Sequence, residues 1–289
     1  MVDLRYASII AIAAAYMLFD IFNKRNVPSI FVYATLGYGI VLTLLYLNLQ
    51  VIFYSALLAI AILGLGYFIY KLGQIGAADV VEFAAISLML PTTPIPALVH
   101  LYQFAMPFIA TMAINTGVAV FAVVPYYYIP RAFNKFKGRT YGMIRKIDIF
   151  RALVLAAFYL AFVAFLLVAF GLSIPSLIII MIMAVGSILI TLFVMPITRS
   201  MIRYTTFRGL EPSDAIALNL MPEKQISDIS RKIKGFGGLV TGETIAELKR
   251  KAPKLKLPVY RNAVPFALPI FIGVLTGLML GNLMLLIFV

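Results

Sequence analysis

Residues 51–70 read VIFYSALLAIAILGLGYFIY, twenty consecutive positions without a charge. Coiled into a helix, such a stretch rises about 30 Å, the thickness of the hydrocarbon core of a bilayer. Outward from it, comparable apolar runs cover roughly 4–22, 28–47, 79–92, 98–129, 152–171, 174–196 and 264–288. The run at 79–92 is short. The run at 98–129 is long and holds Pro107 and Pro125, so it is expected to kink, tilt or extend beyond the membrane. Between those two, Pro91-Thr92-Thr93-Pro94-Ile95-Pro96 signals a turn. The composition agrees: 63% of the 289 residues are hydrophobic and 12% charged, with a mean hydropathy of +1.03. A soluble domain is about half apolar and a quarter charged. The expected fold is an all-α integral membrane protein of about eight transmembrane helices with a small cytoplasmic helical insertion.

The basic residues orient the chain. With the N-terminus outside, the loops at 23–27, 71–78, 130–151 and 197–263 lie in the cytoplasm and hold 23 of the 24 Lys and Arg, leaving only Arg5 outside. One span more or fewer would invert every later loop. Both termini are therefore expected outside a multi-pass protein of the plasma membrane. The organisation divides into an N-terminal bundle at 1–129, a basic loop with two further spans at 130–196, a polar insertion at 197–263 and a last span at 264–289. The first apolar block runs into Asp20 and Asn23-Lys24-Arg25 with no small-residue cleavage signal, which reads as a retained span. Within the insertion, Ile226, Ile229 and Ile233 recur at helical spacing, and Thr244 to Glu247 offers a capping box. These features suggest helices lying partly on the membrane.

The net charge of +13 is spread over these loops, which suits insertion and anionic lipid headgroups and not nucleic acid. With no cysteine and a single histidine, His100, thiolate chemistry and His-rich metal cages are excluded. No cofactor or metal is expected.

Of the 11 acidic residues, Asp20, Asp79 and Glu82 stand in or against apolar spans. A carboxylate costs about 2.5–3.5 kcal/mol at a helix centre and less near the interface, so it has a task or a partner. Asp20 ends the first span and Asp79 begins the fourth. The topology, drawn from Lys and Arg alone, puts both at one membrane face. Two carboxyls at one level can share a proton, one activating water while the other protonates a carbonyl oxygen. The plainer alternative pairs Asp20 with Lys24 at i, i+4 and makes Asp79 a helix cap. Glu82 follows Asp79 by one turn on the same face, where it could tune Asp79, bind a basic group of a substrate or pair with a loop lysine.

The segment Asp20-Ile-Phe-Asn-Lys-Arg-Asn-Val-Pro28-Ser29 resembles the first active-site motif of type IV prepilin peptidases, an aspartate followed by a basic stretch and an aliphatic-Pro-Asn. Gly76-Ala77-Ala78-Asp79 resembles their second motif, Gly-x-Gly-Asp, 59 residues after Asp20 with two spans between the motif-bearing helices. Val264-Pro265-Phe266-Ala267-Leu268-Pro269-Ile270 resembles the final segment of archaeal prepilin and preflagellin peptidases. Ala78 stands for the second glycine, as archaeal members allow, Ser29 stands for Asn, and the Asp-to-Pro spacing is one residue longer than in the bacterial pattern. The bacterial Cys-rich domain has no counterpart. The likeness covers roughly 8–95 and 258–289.

The resemblance implies a GxGD-type membrane aspartic endopeptidase. Asp20 and Asp79 would be the catalytic dyad, Gly76 would permit the loop geometry, Glu82 would be a candidate for recognising leader lysines, and Pro265 and Pro269 would line the site. Its partners would be pilin or archaellin precursors carrying class III signal peptides, cut at the cytoplasmic face, with membrane lipids around it. Proline at Gly76 would lock the loop and abolish cleavage. A secondary, proton-coupled transporter is the alternative, since intramembrane acids and proline-broken helices also suit a carrier. A carrier would place its acids at the midplane.

Overall fold

The computed structural model describes residues 2–23, 27–71, 75–95, 98, 106–137, 139–169, 173–212, 214–233, 236–260 and 266–288, the side chains of residues 2, 3, 71, 219 and 288 apart. Eight helices stand where the apolar runs predict them: α1 Val2–Phe22, α2 Ser29–Leu44, α3 Leu49–Lys71, α4 Ala77–Met89, α5 Phe108–Phe136, α6 Lys146–Ala169, α7 Ile174–Leu192 and α11 Ala267–Met279. Five of them (α1, α3, α5, α6 and α7) are long and apolar enough to cross a membrane. Their outer faces are strongly apolar: Phe53, Leu57, Ile60 and Phe68 of α3, and Leu153, Phe158, Leu160 and Val168 of α6, are exposed. Water would not tolerate so large a continuous apolar surface, whereas lipid chains match it.

The other three are short, α4 as its apolar run suggests and α2 and α11 shorter than theirs. At 16, 13 and 13 residues, α2, α4 and α11 rise about 24, 20 and 20 Å, less than a typical hydrocarbon core. Two of these short helices, α4 and α11, form the interior. The first packs against α2 and α3, the second against α1 and α5, and α5 carries the contact on to α7, which packs against α6. Small residues let these backbones approach. A Cβ on Gly39 of α2 would stand 3.1 Å from the Ala85 carbonyl of α4, and one on Gly273 of α11 would stand 2.8 Å from the Met112 carbonyl of α5.

The last apolar run does not form one helix. It breaks after Met279: Gly281 adopts a positive φ of 75°, and a 3-10 turn follows at Leu285–Phe288. The break is held by Asn115, fully buried on α5, whose side chain donates to the Gly281 carbonyl (2.8 Å) and accepts from Leu283 N–H (3.0 Å). Ser176 of α7 donates to the Leu286 carbonyl at 2.9 Å. Backbone groups freed by a break at membrane depth need such partners, because lipid offers none. Asn115→Ala orphans both groups at about 1–3 kcal/mol each, so thermal unfolding in detergent is expected several degrees lower. An unchanged midpoint would show that the break is satisfied in another way.

Away from the acids, one clamp closes the N-terminal bundle. The Arg5 guanidinium donates to the Leu42 carbonyl (3.0 Å) at the end of α2 and lies 3.2 Å over the Tyr46 ring. The Tyr46 hydroxyl in turn donates to the Met89 carbonyl of α4 at 3.1 Å. The one basic residue that the charge pattern left outside is thus buried against a helix C-terminus, where a cation is favoured.

The polar insertion is a small α/β unit and not purely helical. After α8 (Val194–Met201) come β1 (Ile202–Thr205), α9 (Glu223–Lys232), α10 (Gly242–Lys251) and β2 (Leu257–Tyr260). The two strands pair antiparallel, Ile202 opposite Tyr260 and Thr205 opposite Leu257, as the insertion leaves and re-enters the bundle. Ile229 and Ile233 are buried in the unit's own core with Leu210, Ile216, Leu248 and Val259. The apolar face that suggested membrane adsorption is therefore used internally. The cap of α10 is Thr241, whose hydroxyl accepts from Thr244 N–H at 3.1 Å, three residues ahead of the expected capping box.

Candidate active site

α1 runs from the Arg5 clamp to Asp20, and α4 runs from Asp79 back to Met89 at that clamp. The two helices are therefore antiparallel, and both aspartates lie at the end away from the clamp. They are within electrostatic reach of one another, and Glu82 feels both. Each aspartate is also tied to a helix start. Asp20 Oδ2 accepts from Ala267 N–H, the first residue of α11, at 3.1 Å. Asp79 Oδ2 accepts from Gly76 N–H, one residue ahead of α4, at 3.1 Å. Both carboxyls are partly buried. The N-terminal ends of α4 and α11 direct free N–H groups at them, a setting that favours negative charge.

The capping alternative for Asp79 is therefore real geometry, made by a carboxyl that is also within electrostatic reach of Asp20. The other alternative, Asp20 with Lys24, involves a lysine outside the described residues. Pro265, like His100, also lies outside them. Pro269 is buried in the first turn of α11, a position where proline costs no backbone hydrogen bond. It supports the helix that Asp20 caps and presents no surface. Among the described residues, no group of three or more His, Cys, Asp or Glu is placed to hold a metal.

Gly76 has a different purpose from the one its sequence setting suggests. Its φ of −74° and ψ of 148° are open to any residue, so conformational freedom is not what requires glycine. Space is. A Cβ there would sit 2.9 Å from Asp79 Oδ2. A φ of −74° also lies where proline is comfortable, so Gly76→Pro would act by deleting the N–H that Asp79 accepts. If the peptidase activity implied by the resemblance holds, Gly76→Ala is expected to displace the carboxyl and lower cleavage roughly ten- to a hundredfold, with unfolding little changed. Wild-type rates of precursor processing in this variant would show that the space is not used.

Glu82 is fully buried, one turn further into the bundle than Asp79. Both of its oxygens lack a hydrogen-bond partner among the described residues. With no exposed surface, it is not placed in this structure to meet a basic group from solvent, the leader-lysine role that the resemblance suggested. A residue that motif reading passed over is Tyr16. It is one turn before Asp20 on α1, fully buried, with its ring 5.2 Å from that of Phe31. Its hydroxyl, within electrostatic reach of Glu82, also has no hydrogen bond. The available signal was a tyrosine at i−4 from the acid in an otherwise apolar run, AIAAAYMLFD.

No family model, curated protein or solved structure matches this chain.

Proposed function

We propose that the chain is a membrane aspartic endopeptidase. It would remove the basic leader of pilin or archaellin precursors at the cytoplasmic face, within an eight-pass topology whose first helix enters from outside. The observation that carries this is the meeting of Asp20 and Asp79, which come from helices separated by two others and end within electrostatic reach at one end of the bundle. The pair would hold one proton between them. The ionised carboxylate takes a proton from water as the water oxygen bonds to the scissile carbonyl carbon, and the protonated partner gives its proton to the carbonyl oxygen. The C–N bond of the tetrahedral intermediate then breaks as the proton gained from water passes to the leaving amine, and the carboxylate that gave its proton takes one back from a hydroxyl of the intermediate. A precursor inserted with its basic leader in the cytoplasm would present the scissile bond at this level.

The test is co-expression with an archaellin or pilin precursor, reading the mature N-terminus by mass spectrometry. Removal of the leader by the wild type, and its retention with Asp20→Asn, is the expected result. Intact precursor with the wild type across several precursors would reject the proposal.

One observation favours the carrier reading: α11 is interrupted at Gly281 beside buried Asn115 and Asn282, as half-helices are in transporters. Coupled proton uptake by reconstituted vesicles, without cleavage, would favour it.

A further inference from the structure

We propose that Tyr16 of α1 and Glu82 of α4 form a hydrogen-bonded pair one helical turn beneath Asp20 and Asp79, and that this pair sets the spacing of the two aspartates. The positions follow from helix periodicity. Tyr16 precedes Asp20 by four residues on a helix running toward the site, and Glu82 follows Asp79 by three on a helix running away from it. Both steps lead inward, by about 6 and 4.5 Å at 1.5 Å per residue. α1 and α4 touch, so the bundle has two polar layers on one helix pair, aspartates above and a phenol with a carboxyl below.

The lower layer is fully buried on both sides. The Tyr16 hydroxyl and both Glu82 oxygens lack hydrogen bonds, although the two groups are within electrostatic reach. Buried polar groups in folded proteins are nearly always partnered, and the phenol is a donor where the carboxyl is an acceptor. One bond between them removes both deficits. The competing partner for Tyr16 is Thr35 of α2. Its hydroxyl proton is committed to the Phe31 carbonyl at 2.8 Å, so Thr35 could only accept from the phenol, an arrangement that leaves both Glu82 oxygens orphaned where a Tyr16–Glu82 bond satisfies both groups. Neither group is hydrogen-bonded among the described residues, so the bond requires a short approach of the two side chains across the α1–α4 contact. Because each partner is rigidly one turn from an aspartate, it fixes how far apart the aspartates stand. Tyr16 and Glu82 are thus positioning residues and need not touch substrate.

The pair is independent of what the protein cuts; the positioning role rests on the peptidase reading. Infrared spectra of the purified full-length protein separate the two. The band of the Glu82 side chain is identified by its loss in Glu82→Gln, then followed in Tyr16→Phe and in Thr35→Val. A shift in Tyr16→Phe with none in Thr35→Val is expected, and an unmoved band in Tyr16→Phe would overturn the pair. Should Tyr16→Phe fail to fold, the reciprocal measurement decides: the Tyr16 ring modes shift in Glu82→Gln or they do not. With a precursor that the wild type cleaves, Tyr16→Phe is expected to lower kcat roughly ten- to a hundredfold at little-changed KM. The double variant should be no worse than the poorer single one. A shifted band with wild-type kcat would overturn the positioning role and leave the pair. If the wild type cleaves nothing, the peptidase reading and the positioning role both fall, and the spectra still decide the pair.

Discussion

Asp20→Asn and Asp79→Asn are each expected to abolish precursor cleavage, by at least about a hundredfold and up to ten-thousandfold, while leaving the protein folded. Asparagine suits this purpose because of what the aspartates do structurally. Asp79 accepts a hydrogen bond from Gly76 N–H and Asp20 one from Ala267 N–H. An Asn side-chain oxygen accepts from the same donors, and Asn caps helix starts about as well as Asp. The substitution therefore keeps the cap and removes only the ionisable group. Alanine would confound the two. Thermal unfolding near wild type with lost cleavage assigns chemistry to the carboxyls. Variants that cut as fast as wild type would leave Asp20 and Asp79 as caps, and the hydrolytic groups would have to be sought elsewhere.

A large effect on stability is expected from Gly273→Ala. Its Cβ would overlap the Thr116 hydroxyl and stand 2.8 Å from both the Met112 carbonyl and Thr116 N. Two of these three are backbone atoms of α5, so a side-chain rotation cannot relieve the crowding. Overpacking of this kind costs about 1–3 kcal/mol. The damage reaches the site as well, because α11 carries at its other end the N–H that Asp20 accepts. Both a lower unfolding midpoint and slower cleavage are expected. Gly64→Ala on α3 is the control, since nothing lies within 4 Å of a Cβ there. If Gly273→Ala unfolds at the same temperature as Gly64→Ala, the close approach of α5 and α11 does not exist in the folded protein.

Some features could not be read from residue order. The interruption at Gly281 falls inside a run that hydropathy counts as continuous, because Leu280, Leu283 and Met284 are as apolar as their neighbours. What breaks it is Asn115, 166 residues away in the chain, which satisfies the freed backbone groups. The strand pair of the insertion was missed for a similar reason. Four-residue strands such as Leu257–Tyr260 carry too little period-two signal, and pairing with Ile202–Thr205 supplies what the local pattern lacks. At Gly76 the neighbours indicate a loop, and only the fold shows that a Cβ there would stand 2.9 Å from the Asp79 carboxyl.

The sequence by itself determined the positions of the eight apolar helices and the two aspartates as unusual groups at helix ends. Hydrophobic run length and charge are local properties that need no partner to be read. Tertiary structure alone decided that α2 and α11 are short, that each aspartate is held by a helix start, and that Tyr16 and Glu82 share a buried layer beneath them. Those outcomes depend on which helices touch. Contact between distant segments is governed by packing at positions such as Gly39 and Gly273, and no local pattern encodes it.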